Sequence, residues 1–383
     1  MNRWNSHLPN ITPFYAVKSN YAPHLLECLH KEGVRFDCAS VREINAVYAI
    51  GASSEDIIYA NPCKRIDDIV YAKNMSVNRT VVDSYEEVDK VVGQGWSGDS
   101  LLRIRVEDKN SVVPFGRKFG LNPSNVDEIS KYALKKGLLL SGISFHVGSG
   151  CNDMSQYTKA IFTAASCLQR LQKNGHNANI IDIGGGFTTN TLCPSSYAIK
   201  SACRHIPKNI QVIAEPGRYF SEGSHSLFVQ VIGKKAMSDG SPGYRYTIDE
   251  SLYGQFSCIP FDCARPTWIR IKDNEMHMQE RKRTPAIIFG RTCDSVDMIA
   301  MTEETEELME GDWLLFPKMG AYTSVTSSEF NGFPKPPVYM LPNNTSMNEI
   351  LSNVDVPMTS VIKYVTSVIV PENLPIYKSL IVV

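Results

Sequence analysis

Thr12-Pro-Phe-Tyr-Ala-Val-Lys-Ser-Asn20 is an alternating apolar run that ends in a lysine. The run has the texture of a buried strand, and runs like it recur along the first half of the chain. We read strands near residues 12–18, 34–39, 56–60, 79–83, 101–106, 140–147, 179–183 and 211–215. Helical periodicity fills the gaps between them, as at 23–31, 41–50, 66–74, 126–136 and 153–174. Strands alternating with helices eight times predict an α/β fold, a (β/α)8 TIM-type barrel. After about Ser221 the texture changes. Strand-like runs at 227–234, 244–248, 286–289, 313–316 and 338–341 lack long helices between them. They predict a mostly antiparallel β-sheet domain. The domains expected are thus 1–220 for the barrel, 221–341 for the β domain, and a tail, 342–383, with no role assigned.

Composition narrows the function classes. The 383 residues are 43% hydrophobic and 21% charged, the balance of a globular enzyme. A formal net charge of −1, with no block of like charge, argues against nucleic acid or an anionic membrane as partner. Met1 to Pro9 is too polar for a secretory leader. Ten cysteines occur with no C-x-x-C pair, so neither a disulfide scaffold nor a zinc finger is expected. Reduced cysteines in a cytoplasmic protein are the expectation.

The barrel reading places function at the C-terminal ends of the strands. Lys18, Asp37, Asn61, Asp83, Arg103, His146, Gly184, Gly185, Gly186 and Glu215 fall there. A strand-end amine has one well-known chemical use, a Schiff base with a carbonyl cofactor, usually pyridoxal phosphate (PLP). Ile183-Gly-Gly-Gly-Phe187 lets an anion approach backbone N–H groups, although a tight turn would read the same. In Ala214-Glu-Pro-Gly-Arg-Tyr219, a carboxylate could keep a pyridine nitrogen protonated, and Arg218 could bind phosphate. Ser144-Phe-His-Val-Gly-Ser-Gly150 sets a flat imidazole, His146, before a loop whose Ser149 could donate to phosphate. A lone histidine is more often a satisfied core residue. No second histidine or paired cysteine stands at ligand spacing, so no metal is expected. Gly290-Arg-Thr-Cys-Asp-Ser-Val-Asp297 puts a thiol beside a carboxylate, a possible proton donor or simply a cysteine in a turn.

Taken together, P-F-Y-A-V-K-S-N, F-D-C-A-S, K-F-G, S-F-H-V-G-S-G, D-I-G-G-G-F, A-E-P-G-R-Y, Y-G-Q-F, T-C-D-S-V-D, G-A-Y-T and F-N-G-F resemble the eukaryotic-type ornithine decarboxylases. These are barrel-type (fold-type III) PLP-dependent amino-acid decarboxylases, and the resemblance covers roughly residues 8 to 341. It implies that Lys18 carries PLP, with Asp37 and Arg103 in the pocket network and His146 stacked on the ring. It implies that Ser149, Gly184, Gly185, Gly186, Gly217, Arg218 and Tyr322 surround the phosphate and that Glu215 pairs with the ring nitrogen. Asp262 and Asp294 would bind the substrate's distal ammonium, Tyr253 and Phe330 would line its slot, and Cys293 would protonate the α carbon. Lys18, Cys293 and His146 are then the catalytic set. Cys293 and Asp294 would come from the other subunit, which implies a homodimer. The implied activity is conversion of L-ornithine to putrescine in polyamine biosynthesis. The alternatives are a decarboxylase preferring lysine or arginine, or an inactive regulator like antizyme inhibitor. Animal members bind antizyme at the place of residues 66–90; here that segment has Lys73 and Arg79 but no strong basic cluster, so antizyme as a partner stays open.

The sequence departs from the family at three places. Only 17 residues precede Lys18, so a shortened N-terminus is expected, with Met1 to Pro9 as the end of a helix leading into the barrel. Arg291 stands where proline is usual, and Cys263 and Arg265 follow the specificity aspartate. The stretch 361–370 of the tail is strand-prone and lacks an acidic, serine- and proline-rich character.

Overall fold

The computed structural model describes residues 1–271, 281–340 and 380–382. The chain divides into two compact units, Met1–Ser221 and Glu222–Val383. In the first, helix α1 (Asn2–His7) precedes β1 (Ile11–Ala16), and helices and strands then alternate. They are α2 (Pro23–Lys31), β2 (Arg35–Cys38), α3 (Val41–Ala49), β3 (Ile57–Tyr59), α4 (Ile66–Asn74), β4 (Arg79–Val82), α5 (Tyr85–Gly93) and β5 (Asp99–Arg103). The short β6 (Ser111–Val113), α6 (Val126–Lys135), β7 (Leu140–Ser144) and β8 (Ser149–Cys151) come next. The unit ends with α7 (Ser155–Lys173), β9 (Ile180–Asp182), α8 (Leu192–Cys203), β10 (Gln211–Ala214) and α9 (Arg218–Ser221).

Eight of these strands close into a barrel in the order β1-β10-β9-β7-β5-β4-β3-β2, parallel throughout. Alternation along each strand explains the closure, because successive side chains face opposite sides of the sheet. Phe14, Ile58, Val81, Leu101, Ile180 and Ile213 form a small buried cluster of their own, the filling of the barrel. Their strand neighbours Tyr15, Tyr59, Val82, Leu102 and Ile181 belong to the larger core under the helices. Helix starts are fixed locally. The side chains of Ser40 and Ser84 accept from the N–H groups of Glu43 and Glu87, and Pro23 opens α2. On α1, Trp4 is fully buried; its Nε1 donates to the Ile11 carbonyl at 2.9 Å and its ring meets Phe187 edge-on at 5.2 Å.

One expectation needs correction. Lys18 does not end a strand. β1 stops at Ala16, and Val17–Ser19 wind one 3-10 turn closed by the Asn20 N–H on the Val17 carbonyl at 3.0 Å. The turn, not the pleat, sets the direction of the amine. A second feature was not anticipated: β6 and β8 pair antiparallel, Ser111 opposite Cys151 and Val113 opposite Ser149, as a ribbon beside the barrel.

The second unit holds β11 (Ser226–Ala236), β12 (Tyr244–Ile248), the one-turn α10 (Cys258–Asp262), β13 (Ile269–Arg270), β14 (Arg283–Phe289), β15 (Met298–Glu306), β16 (Trp313–Phe316), β17 (Val338–Tyr339) and β18 (Leu380–Val382). Their sheet runs β13-β16-β11-β12-β14-β15, with β18 paired to both β11 and β17. Its pairs are antiparallel except β12 with β14 and β17 with β18. Leu227, Val229, Tyr246, Ile248, Phe256, Ile288, Leu314 and Phe316 make its core. β13, β15 and β18 were absent from the sequence reading, and β18 draws the end of the tail into the sheet. The strand-prone stretch 361–370 lies outside the described residues. Among the described residues, no helix is long and apolar enough to cross a membrane.

Candidate active site

The rim of the barrel gathers charged groups that burial would otherwise forbid. Lys18 Nζ lies 2.6 Å from Asp37 Oδ2; the lysine side chain is 43% exposed and the aspartate side chain fully buried. Asp37 follows from β2, where Phe36 and Cys38 turn to the helices and Asp37 to the other face. Glu215, one residue beyond β10, is buried, and its N–H donates to the Gly184 carbonyl at 2.7 Å. Its Oε1 has no hydrogen-bond partner. Burial pushes the Glu215 carboxyl well above the carboxylate range; the nearby charges of Asp182 and Asp37 push it further, and Lys18 and Arg103 oppose them. These four groups therefore lie within electrostatic reach of Glu215.

Asp182, the last residue of β9, is the support beneath Glu215. Its carboxylate accepts from Ser144 Oγ and from the Gly184 N–H, both at 2.9 Å. Burial raises its pKa also, and hydrogen bonds, one of them with Glu215, hold it back. The contact favours the proton on Glu215 and the charge on Asp182.

Gly184, Gly185 and Gly186 line the same rim. Gly184 and Gly186 have φ of +64° and +97°, a region that disfavours side chains. A Cβ on Gly185 would stand 2.7 Å from the Glu215 carbonyl and 2.8 Å from His146 Nε2; one on Gly184 would stand 2.3 Å from the Phe145 carbonyl. Only glycine fits, and the bare backbone makes an anion-accepting concavity. The Gly184 N–H is committed to Asp182, so Gly185 and Gly186 are the donors this turn can offer.

His146 follows β7. Its Nδ1 accepts the Gly148 N–H at 2.9 Å, and Phe115 meets the ring edge-on at 4.8 Å between centroids. Burial, then the Arg103 and Lys18 cations, lower its pKa well below the usual range, so the ring is neutral. Arg103, the last residue of β5, lies over the Phe119 ring at 4.8 Å. Ser149 opens β8, and Gly217 and Arg218 lead into α9, where Ser221 Oγ donates to the Gly217 carbonyl at 3.2 Å.

The second unit assembles the other predicted residues in part. Tyr253 donates its hydroxyl to Asp294 and stacks on Phe330 with centroids 4.3 Å apart. The Tyr253 hydroxyl holds the Asp294 carboxyl below its ordinary range. Cys293 is exposed, and its N–H donates to Asn331 Oδ1 at 2.9 Å. Tyr253, Cys293, Asp294 and Phe330 thus share one neighbourhood. Asp262 stands at the end of α10 and Tyr322 at φ +55° in the turn after Gly320, each on a segment of its own. Sequence reasoning gave no role to Asp182, Ser144, Phe115 or Asn331. The signal for Asp182 and Asn331 lay in D-I-G-G-G-F and F-N-G-F, where the glycines drew the reading instead.

A parallel barrel with a rim amine against a buried aspartate, a buried glutamate with one unpartnered oxygen and a glycine nest is the architecture of enzymes that hold PLP. The chain belongs to the pyridoxal-dependent decarboxylase family, whose pyridoxal binding domain matches residues 1–222. It is 38% identical to the chloroplastic ornithine decarboxylase of Nicotiana glauca over 87% of this chain and 78% of that one. It is 36% identical to antizyme inhibitor 2 of Xenopus laevis over 87% of this chain and 76% of that one. The arginine decarboxylase of Paramecium bursaria Chlorella virus superposes with a TM-score of 0.83 at 36% identity, covering 87% of this chain and 90% of that structure.

Proposed function

We propose that the protein is a PLP-dependent ornithine decarboxylase that releases carbon dioxide and putrescine. The observation that carries the reading is Lys18 paired with the buried Asp37, with Arg103, Asp182 and the buried Glu215 in electrostatic reach of one another. A fold kept for regulation alone has no need of a buried carboxylate set opposing an amine.

PLP, when bound, supplies the electron sink for loss of the carboxylate. The chain supplies placement and charge. Lys18 is held by Asp37 as the attachment amine. Glu215, whose pKa burial raises, would sit against the ring nitrogen and would favour its protonated form by pairing with it as a carboxylate. His146, neutral, offers its flat face to the ring. The backbone of Gly185, Gly186 and Gly217, with Ser149, Arg218 and Tyr322, holds the phosphate. Asp262 and Asp294 take the substrate's distal ammonium, Tyr253 orients Asp294, and Phe330 walls the slot. Cys293 delivers a proton to the α carbon of the product. A homodimer in which each subunit lends Cys293 and Asp294 to its partner is part of the proposal, as is a cytoplasmic setting.

Ornithine is favoured by the length of Asp262. A glutamate there would advance the carboxylate by about 1.5 Å, one C–C bond. Lysine, with one methylene more than ornithine, is then the poorer substrate.

The test is the absorbance of purified protein with PLP, then with ornithine. A bound-cofactor band that Lys18→Ala abolishes, with carbon dioxide and putrescine released, is the expected result. A folded dimer that forms no such band but captures antizyme through residues 66–90 would replace the enzyme by the regulator.

A further inference from the structure

We propose that Arg291 is a positioning residue that clamps the turn bearing Cys293 and Asp294 to the segment bearing Phe330. The proposal rests on the reading of Cys293 and Asp294 as substrate-facing groups and adds what holds them in place.

Arg291 is three-way anchored. Its backbone N–H donates to the Glu250 carbonyl at 3.1 Å. Its guanidinium Nη2 donates to the Pro334 carbonyl at 3.2 Å, and the guanidinium carbon lies 4.4 Å from the centre of the Phe333 ring. One residue thus touches the strand-end after β12, the turn after β14, and the segment after Phe330. A planar cation on an aromatic face with a carbonyl at its edge has one favoured orientation.

The two segments it joins meet again two residues on. Asn331 Oδ1 accepts the Cys293 N–H at 2.9 Å. Asn331 and Gly332 are both at positive φ, 58° and 76°, so the segment makes a tight reversal that aims the Asn331 amide at the turn. Asp297 closes the turn from inside. It is buried and accepts from the Leu252 N–H at 2.8 Å, the Thr292 N–H at 3.1 Å and the Thr292 hydroxyl at 2.6 Å. The turn between Arg291 and Asp297 is therefore pinned at its base by Asp297. Its tip, with Cys293 exposed, is tied through Asn331 and Arg291.

Two ties of different chemistry on one exposed loop fix the separation of four groups: the Cys293 thiol, the Asp294 carboxylate, and the Tyr253 and Phe330 rings. Phe330 is 41% exposed, so the core does not hold it. Its placement comes from Tyr253, stacked at 4.3 Å, and from the backbone that Arg291 grips at Pro334. Proline at position 291 would lack both the N–H and the guanidinium, and so could make neither tie.

The experiment compares Arg291→Ala, Arg291→Lys and Asn331→Ala in the full-length enzyme loaded with PLP. Two readouts are taken: kcat and KM for ornithine, and the rate of Cys293 alkylation by iodoacetamide, mapped by peptide mass. Misplacement by a fraction of an ångström lowers kcat by about tenfold in Arg291→Ala. KM should rise less, and Cys293 alkylation should change severalfold. Arg291→Lys, which keeps the cation on Phe333, should recover part of both. Wild-type kcat, KM and alkylation in both Arg291→Ala and Asn331→Ala would overturn the clamp. Altered alkylation in Arg291→Ala, with decarboxylation intact in Cys293→Ala, would uphold the clamp and overturn the role given to Cys293.

Discussion

Asp37, Asp182 and Glu215 are buried acids that face one another at the barrel rim, whereas Cys293 and Asp294 sit in an exposed turn of the second unit. The rim groups are carried on strand ends, and burial raises the proton affinities of Asp182 and Glu215. The turn is carried by short-range ties: Asp297 within, Asn331 and Arg291 across. The difference separates two tasks. A cofactor is gripped for many turnovers and rewards a preorganised, water-poor electrostatic site. A substrate must enter and leave, which suits an exposed turn to the substrate contacts proposed for it.

The sharpest way to break this contrast is Glu215→Gln. The amide keeps the shape of the carboxylate but offers no charge to a ring nitrogen. We expect kcat to fall about 10²- to 10³-fold, with PLP still attached at Lys18. Steady-state carbon dioxide release beside an absorbance spectrum measures both. A kcat within threefold of wild type would mean that the buried acid pair serves the fold rather than the chemistry.

Glu250 tests whether burial has a cost in the second unit as well. Its carboxyl is pushed up to about 7, chiefly by burial. The sign follows from linkage. The folded state holds the proton more tightly than the unfolded state, so stability is unaffected below the ordinary carboxylate range and falls as pH rises toward 7. Glu250→Gln should therefore stabilise the protein by roughly 3 kcal/mol at pH 8 and by almost nothing at pH 4.5. Urea denaturation at the two pH values reads it. An equal gain at both would place the cause elsewhere than in the proton.

Asp262→Glu asks the same of substrate choice. Lengthening the carboxylate crowds the slot by one methylene, a change worth about 1–3 kcal/mol, or tenfold to two-hundredfold in kcat/KM for ornithine. The loss should be smaller for a shorter diamino acid. Equal losses for both substrates would mean that Asp262 does not face the distal ammonium.

Strand spacing made the barrel legible, since its strands bury both faces and recur as short apolar runs between helices. β15 escaped because Met298-Ile-Ala-Met-Thr-Glu-Glu-Thr-Glu306 carries glutamates and threonines on a strand with two buried positions among nine. β18 escaped because three residues, Leu380–Val382, carry no period. The rim residues Lys18, Asp37, His146 and Glu215 were legible as types at strand ends. What lay out of reach were partners distant in sequence: Ser144 with Asp182, and Asn331 with Cys293, each pair 38 residues apart. Local pattern says nothing about such ties, because the closure of the barrel or the sheet makes them.

Phe115 is the finest probe of the rim. It lies between β6 and α6, outside the barrel strands, yet its ring meets the His146 imidazole at 69°. Asp108 fixes its backbone, accepting from the Phe115 N–H and, at 2.7 Å, from the Gly116 N–H. The imidazole has a second restraint, the Gly148 N–H on Nδ1. That bond sets the direction of the ring but leaves rotation about it to packing. Edge-to-face contact of this kind is worth about 0.5–1.5 kcal/mol. Phe115→Leu keeps the bulk and loses the ring edge, so PLP affinity should fall about twofold to tenfold with kcat nearly unchanged. Phe115→Tyr should bind as wild type does. Titration of the stripped enzyme with PLP, followed by absorbance, distinguishes the two variants. Equal affinity in both would leave the Gly148 hydrogen bond as sufficient to orient His146, and the Phe115 contact would then add nothing to PLP binding.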